Sequence, residues 1–142
     1  MPPAATTLAA LPYALPPCPN ARTILFAMRR MGAHGLADAR AAHALVTAFG
    51  TAFRRPLTLL RALMADLAAS SAMPIAIAPC CCARMTPGER ALLTVLARVE
   101  TQTDQAALLL GDLIGQRRVD GVLSSAAAVA MAFADEGRPV CV

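Results

Sequence analysis

The chain has 142 residues, of which 57% are hydrophobic, 15% charged and 4% aromatic. That is long enough for one folded domain with a buried core, and too apolar for a globally disordered chain. The formal net charge is +4, with all thirteen basic residues arginine; they are scattered in pairs and singles rather than gathered on the single face a nucleic-acid binder needs, so a nucleic-acid partner is not expected.

In chain order, residues 1–19 are a proline-rich segment expected to be extended, with Leu11, Tyr13 and Leu15 available to pin it to a core. It lacks a basic start and an unbroken apolar run, so it does not read as a secretory signal. A reducing cytoplasmic setting follows as the expectation, with the five cysteines free or acting as ligands rather than forming a disulfide framework. No stretch approaches the roughly 18 to 20 uninterrupted apolar residues that span a bilayer, so no membrane is expected as a partner.

Residues 20–142 are expected to form a single all-α domain, a compact bundle of five or six helices. Alanine and leucine dominate its apolar content, which favours closely packed helices over a sheet of β-branched and aromatic residues. Asn20 offers a cap to a first helix with Ile24, Leu25 and Met28 on one face and Gly32 as its stop. The spacing predicts a second helix from Leu36 to about Phe53, weakened at Gly50. A third follows, with Pro56 in its first turn and Leu57, Leu60, Leu63, Met64 and Leu67 on its apolar side. "MPIAIAP" reads as an extended connector.

The sharpest boundary is Thr86-Pro87-Gly88-Glu89. Thr86 as N-cap, Pro87 at the first helical position and Glu89 at the third make a capping box for helix four. Helix five runs to Gly115. Helix six covers about Val122 to Glu136, with Gly137 as its stop and Pro139 just beyond.

Cys80, Cys81 and Cys82 stand side by side ahead of that capping box. Contiguous cysteines chelate poorly: in extended chain, alternate side chains lie roughly 6–7 Å apart. A tetrahedral ion holding sulfur at about 2.3 Å needs its ligands closer than that, unless a turn brings them together. A zinc or iron site would also need Cys18, His34 or His43, with Cys141 a further thiol. A redox role has a more local basis, because Arg84 and the positive end of helix four would both favour thiolates nearby. The plainest reading packs the three as small apolar side chains under helix four.

His43 shares a polar helical stripe with Arg40 and Thr47. Three arginine pairs occur, at 29–30, 54–55 and 117–118. The first and third fall near helix C-termini, where cations complement the macrodipole. Arg54 and Arg55 either cap helix two in the same way or stand at the start of helix three, where they would form an anion site. No Walker loop, Rossmann glycine pattern, nucleophile elbow or H-E-x-x-H motif is present, so no enzyme class is indicated.

The segments "CPNAR", "RRMGAHGL", "FRRPLTLLRALMA", "IAPCCCARMT" and "DGVLSSAAAVA" together resemble an uncharacterised family of small proteins from sphingomonad-type alphaproteobacteria. The likeness runs from about Leu15 to Val140. It implies a stand-alone soluble protein and supplies no catalytic residue or cofactor, but it groups Cys18, His34 and the cysteine run in one shared pattern. The expected function is therefore non-enzymatic, an interaction or regulatory protein that self-associates or binds a protein partner. The alternative is a cysteine-based metal-binding or thiol redox protein using Cys80–Cys82.

Overall fold

A computed structural model describes residues 11–142; the first ten residues of the expected lead segment lie outside the described residues. Helix α1 (Pro19–His34) forms because Ala21, Ile24, Leu25, Met28 and Met31 recur on one face and are all buried. Its N-cap is Cys18 rather than Asn20, with Pro19 in the first turn and no side-chain capping bond. Gly32 does not stop it. The helix runs on to Gly35, whose φ of 101° is a conformation that favours glycine.

Helix α2 (Ala39–Phe49) starts later than its periodicity suggests, because Asp38 caps it by accepting the Ala41 N–H at 3.0 Å. Gly50, at φ 59°, and a 3-10 turn (Gly50–Ala52) then separate it from α3 (Arg54–Ser70). Helices two and three are thus distinct elements rather than one kinked helix. Helices α4 (Pro87–Arg98), α5 (Thr103–Ile114) and α6 (Asp120–Asp135) complete an all-α fold of six helices among the described residues. The only pairing of extended chain there is a two-residue antiparallel ladder, β1 (Tyr13–Ala14) on β2 (Arg84–Met85).

Helix α3 packs along α6, α4 against α5, and α1 against α2. The core joins Ile24 and Met28 of α1 to Leu60 and Leu63 of α3, and to Leu93, Leu110 and Phe133 from the last three helices. Phe49 meets Phe133 edge-on with ring centroids 4.8 Å apart, a favoured aromatic geometry. The small residues of α6 face inward: Ala126, Ala130 and Ala132 are buried. They let α6 approach α3 closely, and the Ser125 hydroxyl donates to the Asp66 carboxylate across that contact.

One ion pair fixes the long connector between α3 and α4. Arg29 of α1 meets Glu89 of α4 in a bidentate contact, Nε–Oε2 2.7 Å and Nη2–Oε1 3.0 Å, with both side chains buried. Glu89 also accepts the N–H of Thr86 at 2.9 Å and of Ala78 at 3.2 Å, while Arg29 donates to the carbonyls of Cys82 (2.9 Å) and Arg84 (2.7 Å). Both ionic partners are therefore hydrogen-bonded on several sides, the condition under which a buried pair is tolerable. Removing one member strands the other. Arg29→Met is expected to lower unfolding free energy by about 3–5 kcal/mol in urea titration; a loss below about 1 kcal/mol would mean that the pair is not holding the connector in place.

Candidate functional site: the cysteine loop and its cleft

The cysteine run folds as a turn, closed by the Cys82 N–H on the Pro79 carbonyl at 3.0 Å. Arg29 grips the turn from below through the Cys82 carbonyl. Backbone, not sulfur, is what the fold anchors here. Cys81 is exposed and Cys80 and Cys82 are half-buried, so the run does not pack as core under helix four. Nor does Arg84 serve the thiols: its guanidinium turns away to the carbonyls of Leu11 and Pro12, both at 2.7 Å, and ties down the N-terminal segment. The start of α4 is occupied by its own capping box, Thr86 and Glu89 exchanging both bonds as the sequence predicts.

The cation that reaches the run is Arg30, at the far end of α1. Its guanidinium binds Asp38 in a fork, both distances 3.0 Å, and also contacts the Cys80 thiol. Asp38 is held at about 2, below the ordinary 3.8, chiefly by the Arg30 hydrogen bonds. Partial desolvation opposes that shift; the Ala41 N–H and the charges of Arg30 and His34 reinforce it. Arg30, Asp38, Cys80 and His34 thus form one polar corner between α1, α2 and the loop. Sequence reading paired Arg30 with the helix end only. The signal for Asp38 was present: an aspartate three residues ahead of Ala41 and eight beyond Arg30.

Cys18 does not join this corner. It caps the opposite end of α1, twelve residues before Arg30, or about 18 Å along a helix rising 1.5 Å per residue. Its neighbour is Cys141. His43 lies exposed on α2 in its stripe with Arg40 and Thr47. Among the described residues no three of His, Cys, Asp and Glu converge in a group that could hold a metal ion. Arg54 and Arg55 do open α3, the placement that calls for an anion, but a carboxylate of the chain meets part of that need: Asp135 binds Arg55 at 2.7 Å. Arg54 lies over the Phe53 ring at 6.0 Å.

Beside the cysteine loop opens an apolar cleft of about 800 Å³ between α1, α3 and the connector. Met64, Leu67, Ala68, Met73, Ile75 and Ile77 line it, and Arg29 closes one side with its donors already engaged. The cleft lies within the size range of ligand pockets, about 300–1,000 Å³. It contains no nucleophile–base pair, and its lining is predominantly aliphatic.

These features occur in a chain with an assignable lineage. It belongs to a family of unknown function, DUF6628. The match spans residues 4–130 and so takes in the cysteine loop, the Arg30–Asp38 corner and every residue lining the cleft, but not Cys141. No curated protein matches the chain, and no solved structure does. Among the described residues no helix is long and apolar enough to cross a membrane.

The corner makes a pH prediction whose sign is fixed by the direction of the shift. A carboxylate held low when folded adds stability above its unfolded value of 3.8, and that contribution disappears as pH falls through about 2. Asparagine caps helices about as well as aspartate, so Asp38→Asn isolates the charge. The variant should melt below wild type at neutral pH, with the gap closing between pH 3.8 and about 2. A gap independent of pH would mean that Arg30 and Asp38 do not interact as charges.

Proposed function

We propose that the protein is a non-enzymatic interaction protein that self-associates or binds a protein partner through the cleft between α1, α3 and the connector. The observation that carries this reading is the cleft itself. It is open, aliphatic and rimmed by Met73, which is 51% exposed. Methionine suits such a surface because its unbranched, polarizable side chain adapts to different apolar partners. The connector forming one wall is held at Ala76, Ala78, Cys82 and Arg84 by the Thr86 and Arg29–Glu89 bonds, so the surface is largely pre-formed. Such pre-organisation lowers the ordering cost of association.

Self-association is the first form to test. Ala68 is exposed on α3 within the cleft, so Ala68→Arg adds charge there without disturbing the core. Light scattering after size exclusion should show wild-type protein associated on dilution and the variant monomeric. Wild type that is monomeric at every concentration removes self-association from the proposal.

A second reading makes the loop a thiol or metal site, favoured by the contact between Arg30 and Cys80 and by the exposure of Cys81. For zinc or iron the fit is poor, because among the described residues Cys80, Cys81, Cys82 and His34 do not converge in a group of three that could hold a metal ion. Anaerobic purification without chelators, followed by metal analysis and thiol counting on one sample, separates the outcomes. Stoichiometric metal with protected thiols supports a metal site; fast-reacting thiols without metal support redox chemistry. Thiols that stay unreactive until unfolding overturn both.

A further inference from the structure

The segment after α6 returns to the start of α1. Gly137, with φ 71°, ends the helix, and Arg138 and Pro139 lead the chain back across the bundle. The Pro139 carbonyl accepts the Asn20 side-chain amide at 3.0 Å and lies 3.9 Å from the Cys18 sulfur. This brings Cys141, 123 positions further along the chain, beside Cys18, near enough for each thiol to shift the other's proton affinity. Cys18 is buried under the returning segment, while Cys141 is exposed. Backbone N–H groups of Asn20 and Ala21 at the helix start, and of Cys141 itself, lie near the Cys18 sulfur without closing a capping bond to it.

We propose that Cys18 and Cys141 are a peroxide-responsive dithiol that closes into an intrachain disulfide and fastens residues 139–142 across the start of α1. The geometry assigns the two sulfurs different parts. Burial pushes the Cys18 thiol up, but the Cys141 thiol and the nearby N–H groups outweigh it and hold Cys18 below its ordinary value. The same interaction with the Cys18 thiol, with slight desolvation, pushes Cys141 up. Of the two thiols, Cys18 is thus the one that gives up its proton more readily.

In the first step the Cys18 thiolate attacks one oxygen of hydrogen peroxide, breaking the O–O bond and releasing hydroxide. This leaves Cys18 as a sulfenic acid. The Cys141 sulfur then attacks the Cys18 sulfur and expels water, forming the S–S bond. Two thiols lose two electrons in all, and the peroxide accepts them. The pair is separate from the Cys80–Cys82 run, which lies towards the other end of α1.

The test treats the full chain with limiting hydrogen peroxide, blocks residual thiols and maps disulfides by mass spectrometry under non-reducing conditions. The expected product is a monomer carrying the Cys18–Cys141 bond, formed equally in the triple variant C80S/C81S/C82S. Because that bond closes most of the chain into a loop, oxidation should raise Tm by roughly 10 °C. Cys141→Ser changes an exposed position and leaves the core untouched. It should lose the Tm shift and accumulate sulfenic acid at Cys18, trapped by dimedone. Oxidation confined to Cys80–Cys82, or Cys18 left unmodified in both proteins, would overturn the proposal.

Discussion

The contact between Arg29 and Glu89 is the constraint on which the rest of this structure depends. The stretch from Ser71 to Met85 has almost no secondary structure to satisfy its backbone, and it carries the three adjacent cysteines. Water would normally hydrate such a segment. Here one guanidinium donates to the carbonyls of residues 82 and 84, while one carboxylate accepts from the N–H groups of residues 78 and 86. The charges serve the loop as much as each other. A carboxylate has about four acceptor sites, and all those of Glu89 are filled.

From that anchoring follow both surfaces of interest. With the connector fixed against α4, it cannot collapse onto α3, and the space between them stays open as the aliphatic cleft. With the turn held by its backbone, Cys81 stays exposed and Cys80 and Cys82 only half-buried, outside the core. The corner formed by Arg30 and Asp38 then borders the loop on its third side and joins the start of α2 to the end of α1. Adjacent arginines on one helix thus do unlike work. Arg29 is buried and structural; Arg30 is half-buried, pairs with Asp38 and lies beside the cysteine loop.

Features encoded by neighbouring residues were legible in the sequence. The capping box at Thr86, Pro87 and Glu89 is local chemistry, and so are the leucine stripe of α3 and the stops at Gly115 and Gly137. The stop placed at Gly32 failed because glycine within a helix costs only about 1 kcal/mol, which packing readily offsets. The start placed at Leu36 failed because the cap, Asp38, outweighed apolar periodicity. What linear reading lacked was distance. Nothing near Arg29 announces a partner sixty residues on, although its position four after buried Leu25 put it on the apolar face of α1. The companion of Cys18 lies near the far end of the chain, and grouping it with the cysteine run joined two places that the fold keeps apart.

That separation has its own chemical meaning. A straight helix is a rigid spacer, and α1 holds Cys18 about 18 Å from the level of the cysteine turn. A disulfide needs Cα atoms within about 7 Å. No sulfur of the turn can therefore bond Cys18 while α1 remains intact. A cross-link between these two groups within one chain, found after oxidation in a cell or in a stored sample, would date from a moment when that chain was open. The five thiols thereby keep a covalent record of whether a given molecule had unfolded.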